Sequence, residues 1–224
     1  MQKLSRSKIE LFLECPRCFW LDVKKGVKRP QPAPYTINNA IDWLLKQEFD
    51  VHRKKGTPHP IMTKHGVHAV PFDTPEIDKW RHNFTGVAYH HEPTDFLVYG
   101  AIDDAWVNPK GELHVVDYKA TGANQHQIYD SYGRQMEIYQ WLLAKNKYNV
   151  SPVGYFVFAK VSKANGFGNG EAMLPFNIFV EKYEGNNNWV EETIESARNA
   201  FDLGQAPKSS DTCVYCQYRK VASE

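Results

Sequence analysis

The sequence predicts an α/β fold, a β-sheet core flanked by helices, with the two ends of the chain joined by a four-cysteine site. Three observations predict it. Helical and strand periodicities follow one another in the order helices, strands, helix, strands, helix. The 224 residues, 42% of them apolar, suit one substantial core better than two small ones. All four cysteines fall in two C-x-x-C pairs, Cys15-Pro16-Arg17-Cys18 near the start and Cys213-Val214-Tyr215-Cys216 near the end. We expect one domain over residues 1–224, with residues 1–25 and 205–224 forming the cysteine clasp.

Each element has its own warrant. Ser7 with Glu10 has capping-box form, and Ile9, Phe12 and Leu13 start a helical stripe that should stop near Pro16, which puts the first cysteine pair at a helix end. After a proline-rich connector at 29–34, Ile37, Ile41, Leu44 and Leu45 mark the face of a second helix reaching about Phe49. Residues 54–93 are rich in His, Pro and Gly and show little periodicity, so loops are expected there, with one short helix near 77–84. Residues 96–107 read as a strand, Asn108-Pro109-Lys110-Gly111 as a turn and 113–120 as a second strand, together an antiparallel hairpin. Tyr132, Gln135, Met136, Tyr139, Leu142 and Leu143 then repeat at helical spacing. Residues 153–159 and 174–183 read as further strands, with Gly166 to Gly170 a hairpin loop between them. Val190, Ile194, Ala197 and Phe201 mark a last helix, ended by Gly204 and Pro207.

Composition narrows the function classes. A net charge of +1 gives no global field for nucleic acid, so any such contact must be local; Lys24, Lys25, Lys28 and Arg29, then Arg53, Lys54 and Lys55, are the candidate patches. No apolar run reaches the ~20 residues of a membrane helix. The opening MQKLSRSK lacks the apolar core of a secretory signal, so the expected location is the cytoplasm, with no membrane partner. In a reducing compartment, paired C-x-x-C motifs point to metal ligation sooner than to disulfides. A thioredoxin-like role is disfavoured because the strand-then-helix context is missing. No phosphate-binding G-x-x-x-x-G-K-[ST] loop occurs, so a helicase motor would have to be a separate partner.

Alternation along the second hairpin strand places Leu113, Val115, Asp117 and Lys119 on one face, so an acid and a cation point the same way. Across the hairpin, Asp103 faces Asp117 if the loop has an odd number of residues. Two acids held together repel, and a hard divalent cation compensates them. Such an ion would activate water and polarise a phosphoryl oxygen while Lys119 stabilises developing charge, which is the chemistry of phosphodiester hydrolysis. The plainer reading of a lone D-x-K is an exposed ion pair.

Three ordered motifs sharpen this. Gly100-Ala101-Ile102-Asp103, Val115-Val116-Asp117-Tyr118-Lys119 and Gln135-Met136-Glu137-Ile138-Tyr139 resemble the G-x-x-D, D/E-x-K and Q-x-x-x-Y motifs of the RecB-like branch of the PD-(D/E)XK nuclease superfamily. The resemblance implies a restriction-endonuclease-like mixed β-sheet core. It implies a Mg²⁺- or Mn²⁺-dependent deoxyribonuclease, exonuclease-like on DNA ends or single strands, serving repair, recombination or defence. It makes Asp103 and Asp117 metal ligands, with Tyr118 between the motif residues also at the metal. Lys119 becomes the catalytic lysine, and Gln135 and Tyr139 the residues that position the lysine and the DNA. The partners implied are DNA and a separate helicase or a recombination or defence complex. Where members commonly carry a metal-binding His on the preceding helix, this chain has Asn38-Asn39-Ala40-Ile41-Asp42, so Asp42 stands as the carboxylate in its place.

The cysteines are similar to those of iron-sulfur members of the superfamily, including CRISPR-adaptation exonucleases, in which one N-terminal cysteine joins three C-terminal ones around a 4Fe-4S cluster. Here the distribution is two and two, which suits a cluster or a structural Zn²⁺ held by Cys15, Cys18, Cys213 and Cys216. The alternative function is a non-catalytic, zinc-clasped nucleic-acid-binding module, and an RNA-directed enzyme of the same fold shares the chemistry.

Overall fold

Turn and cap chemistry set the first two helices of the computed structural model, which describes residues 1–31, 33, 35–123, 127–163 and 173–222. A short strand, β1 (Gln2–Ser5), leads directly into α1 (Arg6–Glu14). Ser5 rather than Ser7 caps this helix, its hydroxyl accepting the Lys8 N–H at 3.3 Å, because the chain turns as soon as β1 ends. The first helix stops just short of Pro16, as expected, yet Pro16 itself opens another. It occupies the first position of α2 (Pro16–Lys25), where its fixed φ and missing N–H suit a helix start, and extended Cys15 forms the corner between the two.

α3 (Thr36–Lys55) buries Ile41, Leu45 and Phe49 at i, i+4 spacing. Ile37 and Leu44, expected on the same face, stay exposed because the buried stripe runs through 41, 45, 49 and 53. The stretch expected as loops with one short helix near 77–84 holds α4 (Pro60–Lys64), β2 (Val70–Pro71), the expected helix as α5 (Ile77–Arg81), and β3 (Val87–His91). The strand expected over 96–107 is two, β4 (Phe96–Gly100) and β5 (Asp104–Val107), and they belong to different sheets. Then come β6 (Leu113–Thr121), α6 (Asp130–Lys145), β7 (Val153–Val161), β8 (Phe176–Glu184), α7 (Val190–Asp202) and α8 (Val214–Ala222). The loop expected at Gly166 to Gly170 lies outside the described residues.

Two mixed sheets result. In the smaller, β4 is central, parallel to β1 and antiparallel to β3. The larger runs β2-β5-β6-β7-β8, with only β6 and β7 parallel. A parallel pair needs a long crossover, and α6 supplies it. Both faces of the larger sheet are covered. Leu113, Val115, Phe156 and Phe158 pack with Met136, Ile138 and Leu142 of α6 on one side. Val116, Tyr118, Val157 and Ala159 pack with Ile41, Leu45 and Phe49 of α3 on the other. Each such fully buried large apolar side chain contributes about 1.5–3 kcal/mol. A mixed sheet between helices, with the four cysteines drawn together, is the restriction-endonuclease-like arrangement. Among the described residues, no helix is long and apolar enough to cross a membrane.

Candidate active site and cysteine centre

The strand break between β4 and β5 builds the site. β5 and β6 pair with Asp104 opposite Val116 and Val107 opposite Leu113, leaving a five-residue loop at 108–112. One further step in that register places Asp103, just outside the ladder, opposite Asp117. Asp103 is fixed there by its neighbours: its Oδ2 accepts the Tyr118 backbone N–H at 2.9 Å, and its carbonyl accepts Arg81 Nε at 2.9 Å.

On β6, period-two alternation turns Asp117 and Lys119 toward α6 and Val116 and Tyr118 toward α3. Lys119 Nζ lies 2.5 Å from Asp117 Oδ2 and donates to Gln135 Oε1 at 3.2 Å. Gln135 Nε2 donates to Asp117 Oδ1 at 2.8 Å and lies 3.1 Å from the Tyr139 hydroxyl. Four of the sequence-predicted residues are thus one connected group. Gly100 makes room for it: a Cβ there would meet the Tyr139 ring at 2.5 Å, so the strand can pass over the tyrosine only without a side chain.

Asp42 approaches from α3 on the other side. Lys46 bridges it to Asp103, with Nζ 2.7 Å from Asp42 Oδ2 and 3.2 Å from Asp103 Oδ1. Asp42, Lys46, Asp103 and Lys119 line one cleft of about 580 Å³, inside the roughly 300–1,000 Å³ range of ligand sites. The Tyr118 hydroxyl donates to buried Asp104 Oδ2 at 2.7 Å rather than to Asp103 or Asp117, while its backbone N–H is the group that reaches Asp103.

Burial governs the charges. It raises the Asp117 carboxyl to about 6, helped by repulsion from Asp103 and opposed by Lys119. Burial and Asp103 likewise raise Asp42, against Lys46. Lys119 would lose affinity for its proton on burial, but Asp117 and Asp103 overcome this and hold it protonated. Asp117 Oδ2 is buried and lacks a well-angled hydrogen bond despite the nearby lysine. An anionic oxygen in that state, with the Asp103 carboxylate acting on it, is a ligand of the kind a hard divalent cation takes.

Sequence reasoning missed the support beneath. Arg81 forks onto both oxygens of Asp50, at 2.8 and 3.0 Å, and lies 3.5 Å from fully buried Asp104. Arg53 joins Asp50 at 3.0 Å and also pairs with Asp104. A signal existed, since Asp42, Lys46, Asp50 and Arg53 form a charged stripe along α3 beside the apolar stripe. Arg53 is therefore no DNA-binding surface charge; it is 5% exposed and spent on carboxylates. The other basic patch is largely absorbed as well. Lys24 and Lys25 lie over the Phe201 and Trp20 rings, and Arg29 pairs with Glu14 and stacks on Tyr215 at 4.6 Å.

At the far end, Cys15 at the α1–α2 corner, Cys18 on α2, and Cys213 and Cys216 at the start of α8 meet, their sulfurs all within 4.8 Å of one another. The nearer pairs lie 3.6–3.9 Å apart. Four sulfurs around one tetrahedral ion at about 2.3 Å have edges of about 3.8 Å, whereas the cysteines of a cubane bind four separate irons and splay wider. Burial raises the Cys18 thiol, while Cys213, despite burial, is brought down to about 7 by hydrogen bonds from the Cys216 backbone and neighbouring cysteines. Arg29 Nη2 donates to Cys213 Sγ at 3.5 Å, the cation expected beside a thiolate-rich centre.

The family model of the PD-(D/E)XK nuclease superfamily matches residues 37–221. No curated protein matches the sequence.

Proposed function

The chain belongs to the PD-(D/E)XK nuclease superfamily, and from that premise we propose that it is a metal-dependent deoxyribonuclease, exonuclease-like, acting on DNA ends or single strands. The observation that supports this best is the connected group Asp117, Lys119, Gln135 and Tyr139, with Lys119 lining one open cleft, Gln135 and Tyr139 lining its neighbour, and Asp103 on both.

Asp103 and Asp117, with Asp42 in place of the more usual histidine and the Tyr118 main chain beside them, would hold Mg²⁺ or Mn²⁺. When bound, such an ion supplies Lewis-acid polarisation of a phosphoryl oxygen and lowers the pKa of a ligated water. The chain's own residues supply the rest. Lys119, kept protonated by the acids, presents positive charge where the transition state gathers negative charge. Gln135 holds Lys119 and Asp117 in register, and Tyr139 holds Gln135. Arg81, by gripping the Asp103 carbonyl, fixes the loop from which Asp103 projects.

On the resemblance of its ordered motifs we read the chain as a member of the RecB-like branch, and residues 1–224 as one nuclease domain. Its partners would be DNA and a separate helicase or a recombination or defence complex. The close sulfur spacing favours a single Zn²⁺ over a 4Fe-4S cluster at the clasp.

The test is cleavage of single-stranded and duplex DNA by purified protein with Mg²⁺ or Mn²⁺. Chelation should abolish it, and Lys119→Ala should lower the rate at least 100-fold, the usual loss on removing a transition-state charge donor, with an unchanged circular dichroism spectrum. Full activity in Lys119→Ala would remove the lysine from the chemistry.

A further inference from the structure

A second cleft, of about 240 Å³, opens beside the first. Arg6, Gln135 and Tyr139 line it, and it shares Asp103 and Asn83 with the main cleft, so the two meet at the candidate metal ligand. A chain laid across Asp103 would occupy both.

The cations around the site divide into two kinds. Lys119 is held by Asp117, Lys46 by Asp42 and Asp103, Arg81 by Asp50, and Arg53 by Asp50 and Asp104. Glu10, one turn along α1 from Arg6, is taken by Arg134. Arg6, among the described residues, forms no ion pair and no side-chain hydrogen bond, although it is half-buried at the cleft wall. Its charge is nevertheless felt inside, where it favours the ionised forms of Asp117 and Tyr139. A guanidinium with no carboxylate of its own, in a cleft continuous with a phosphodiester site, has a phosphate as its natural complement.

The rim identifies the form of the strand. Trp43 is 59% exposed on the wall of the main cleft, and Phe84 is 75% exposed next to Asn83, where the clefts join. Exposed aromatic faces beside a site that carries an unpaired guanidinium are platforms for unpaired bases, which duplex DNA does not offer.

We propose that the second cleft takes the continuation of a single-stranded DNA substrate, with the Arg6 guanidinium holding the phosphate next to the scissile one and Trp43 and Phe84 stacking on bases along the path. This rests on the nuclease reading above for the identity of the strand, but its test does not depend on cleavage.

The experiment measures binding of a short fluorescent oligothymidylate by anisotropy in chelator, over a series of salt concentrations, for the parent and for Arg6→Gln. Arg6→Gln weakens binding about tenfold and reduces the slope of log affinity against log salt by about 0.7, the value for one lost phosphate contact on a single strand. Its melting temperature stays at the parental value. Arg6→Lys keeps the salt slope while recovering only part of the affinity, because a point charge replaces a fork. A walk of single neutral methylphosphonate linkages along the strand finds one position that costs the parent as much as Arg6→Gln does, and costs Arg6→Gln nothing more. In cleavage assays the variant raises KM more than it lowers kcat.

Parental affinity and salt slope in Arg6→Gln would overturn the proposal. So would a methylphosphonate walk on the parent with no sensitive position, which decides the matter even if Arg6→Gln does not fold. Equal binding of duplex and single strand removes the single-strand part. If the metal-loaded parent fails to cleave while Arg6-dependent binding persists, the nuclease reading fails and the strand-binding cleft stands.

Discussion

Asp117 concentrates the physical argument because its burial and its charge pull in opposite directions. Its carboxyl is held at about 6 by burial, then by Asp103, against Lys119, whereas a free aspartate titrates near 3.9. Between those values the folded protein keeps a proton that the unfolded chain has lost. The resulting stability is therefore present below about pH 4 and disappears as pH rises through about 6. In chelator, the melting temperature of the parent relative to Asp117→Asn should fall across that interval and level off above it. A saturating divalent cation competes with the proton and should reverse the trend. Scanning calorimetry from acid to neutral pH checks this, and a constant difference between the two proteins would mean that Asp117 is not raised. Asp103 was legible as its partner from hairpin arithmetic, because strand alternation and loop parity fix which side chains face each other. Lys46 was not, because a helix position reaches a strand only through packing that no local pattern contains.

At the scale of elements, the pairing of β5 with β6 and the helix α6 after them were readable and the sheet boundary was not. Val115, Asp117 and Lys119 alternate, and Gln135 and Tyr139 repeat at i, i+4, so both periodicities announced which faces would meet. The division of 96–107 into β4 and β5 carried no composition signal, since apolar residues continue on both sides of Ala101. Only tertiary contacts, such as the Ile102 N–H to Trp80 carbonyl bond at 3.1 Å, end one strand and start another. Apart from α5, the short helix expected near 77–84, the elements of two to five residues between 60 and 91 were invisible for a related reason: they are too short to show a period and are held by their neighbours. Gly100 joins sequence to packing at this scale. Gly100→Ala should cost about 1–3 kcal/mol, as overpacking against the Tyr139 ring commonly does, and should lower cleavage because Tyr139 moves and Gln135 with it. Denaturant unfolding beside an activity assay tests both parts. A stable Gly100→Ala with parental activity would mean that the ring yields without consequence.

For the whole molecule, the clasp is the feature that ties remote sequence together. Cys15 and Cys18 come from the first two helices and Cys213 and Cys216 from the last, and Trp20 Nε1 donates to the Leu203 carbonyl at 3.0 Å beside them. Ligation that exists only in the folded state adds its binding free energy to folding, roughly 10 kcal/mol or more for structural zinc peptides. Cys213→Ser should therefore lose metal and melting temperature together, while the folded fraction still cleaves DNA, because the cysteines take no part in the group around Asp117. Elemental content, melting temperature and specific activity measured on one preparation decide it. Parental metal content and melting temperature in Cys213→Ser would show that Cys213 is not a ligand. The cysteine spacing made the clasp legible, but not the identity of its metal, since a two-and-two distribution suits more than one centre.

Asp117, buried behind Lys119 and beside Asp103, is proposed to couple metal binding to phosphodiester cleavage. The most direct measurement is a calorimetric titration of Mn²⁺ into the parent and Asp117→Asn, with single-stranded DNA cleavage followed on the same samples. The account predicts saturable binding and cleavage in the parent, and loss of both in an Asp117→Asn protein that remains folded. Parental Mn²⁺ affinity together with parental cleavage in Asp117→Asn would contradict it.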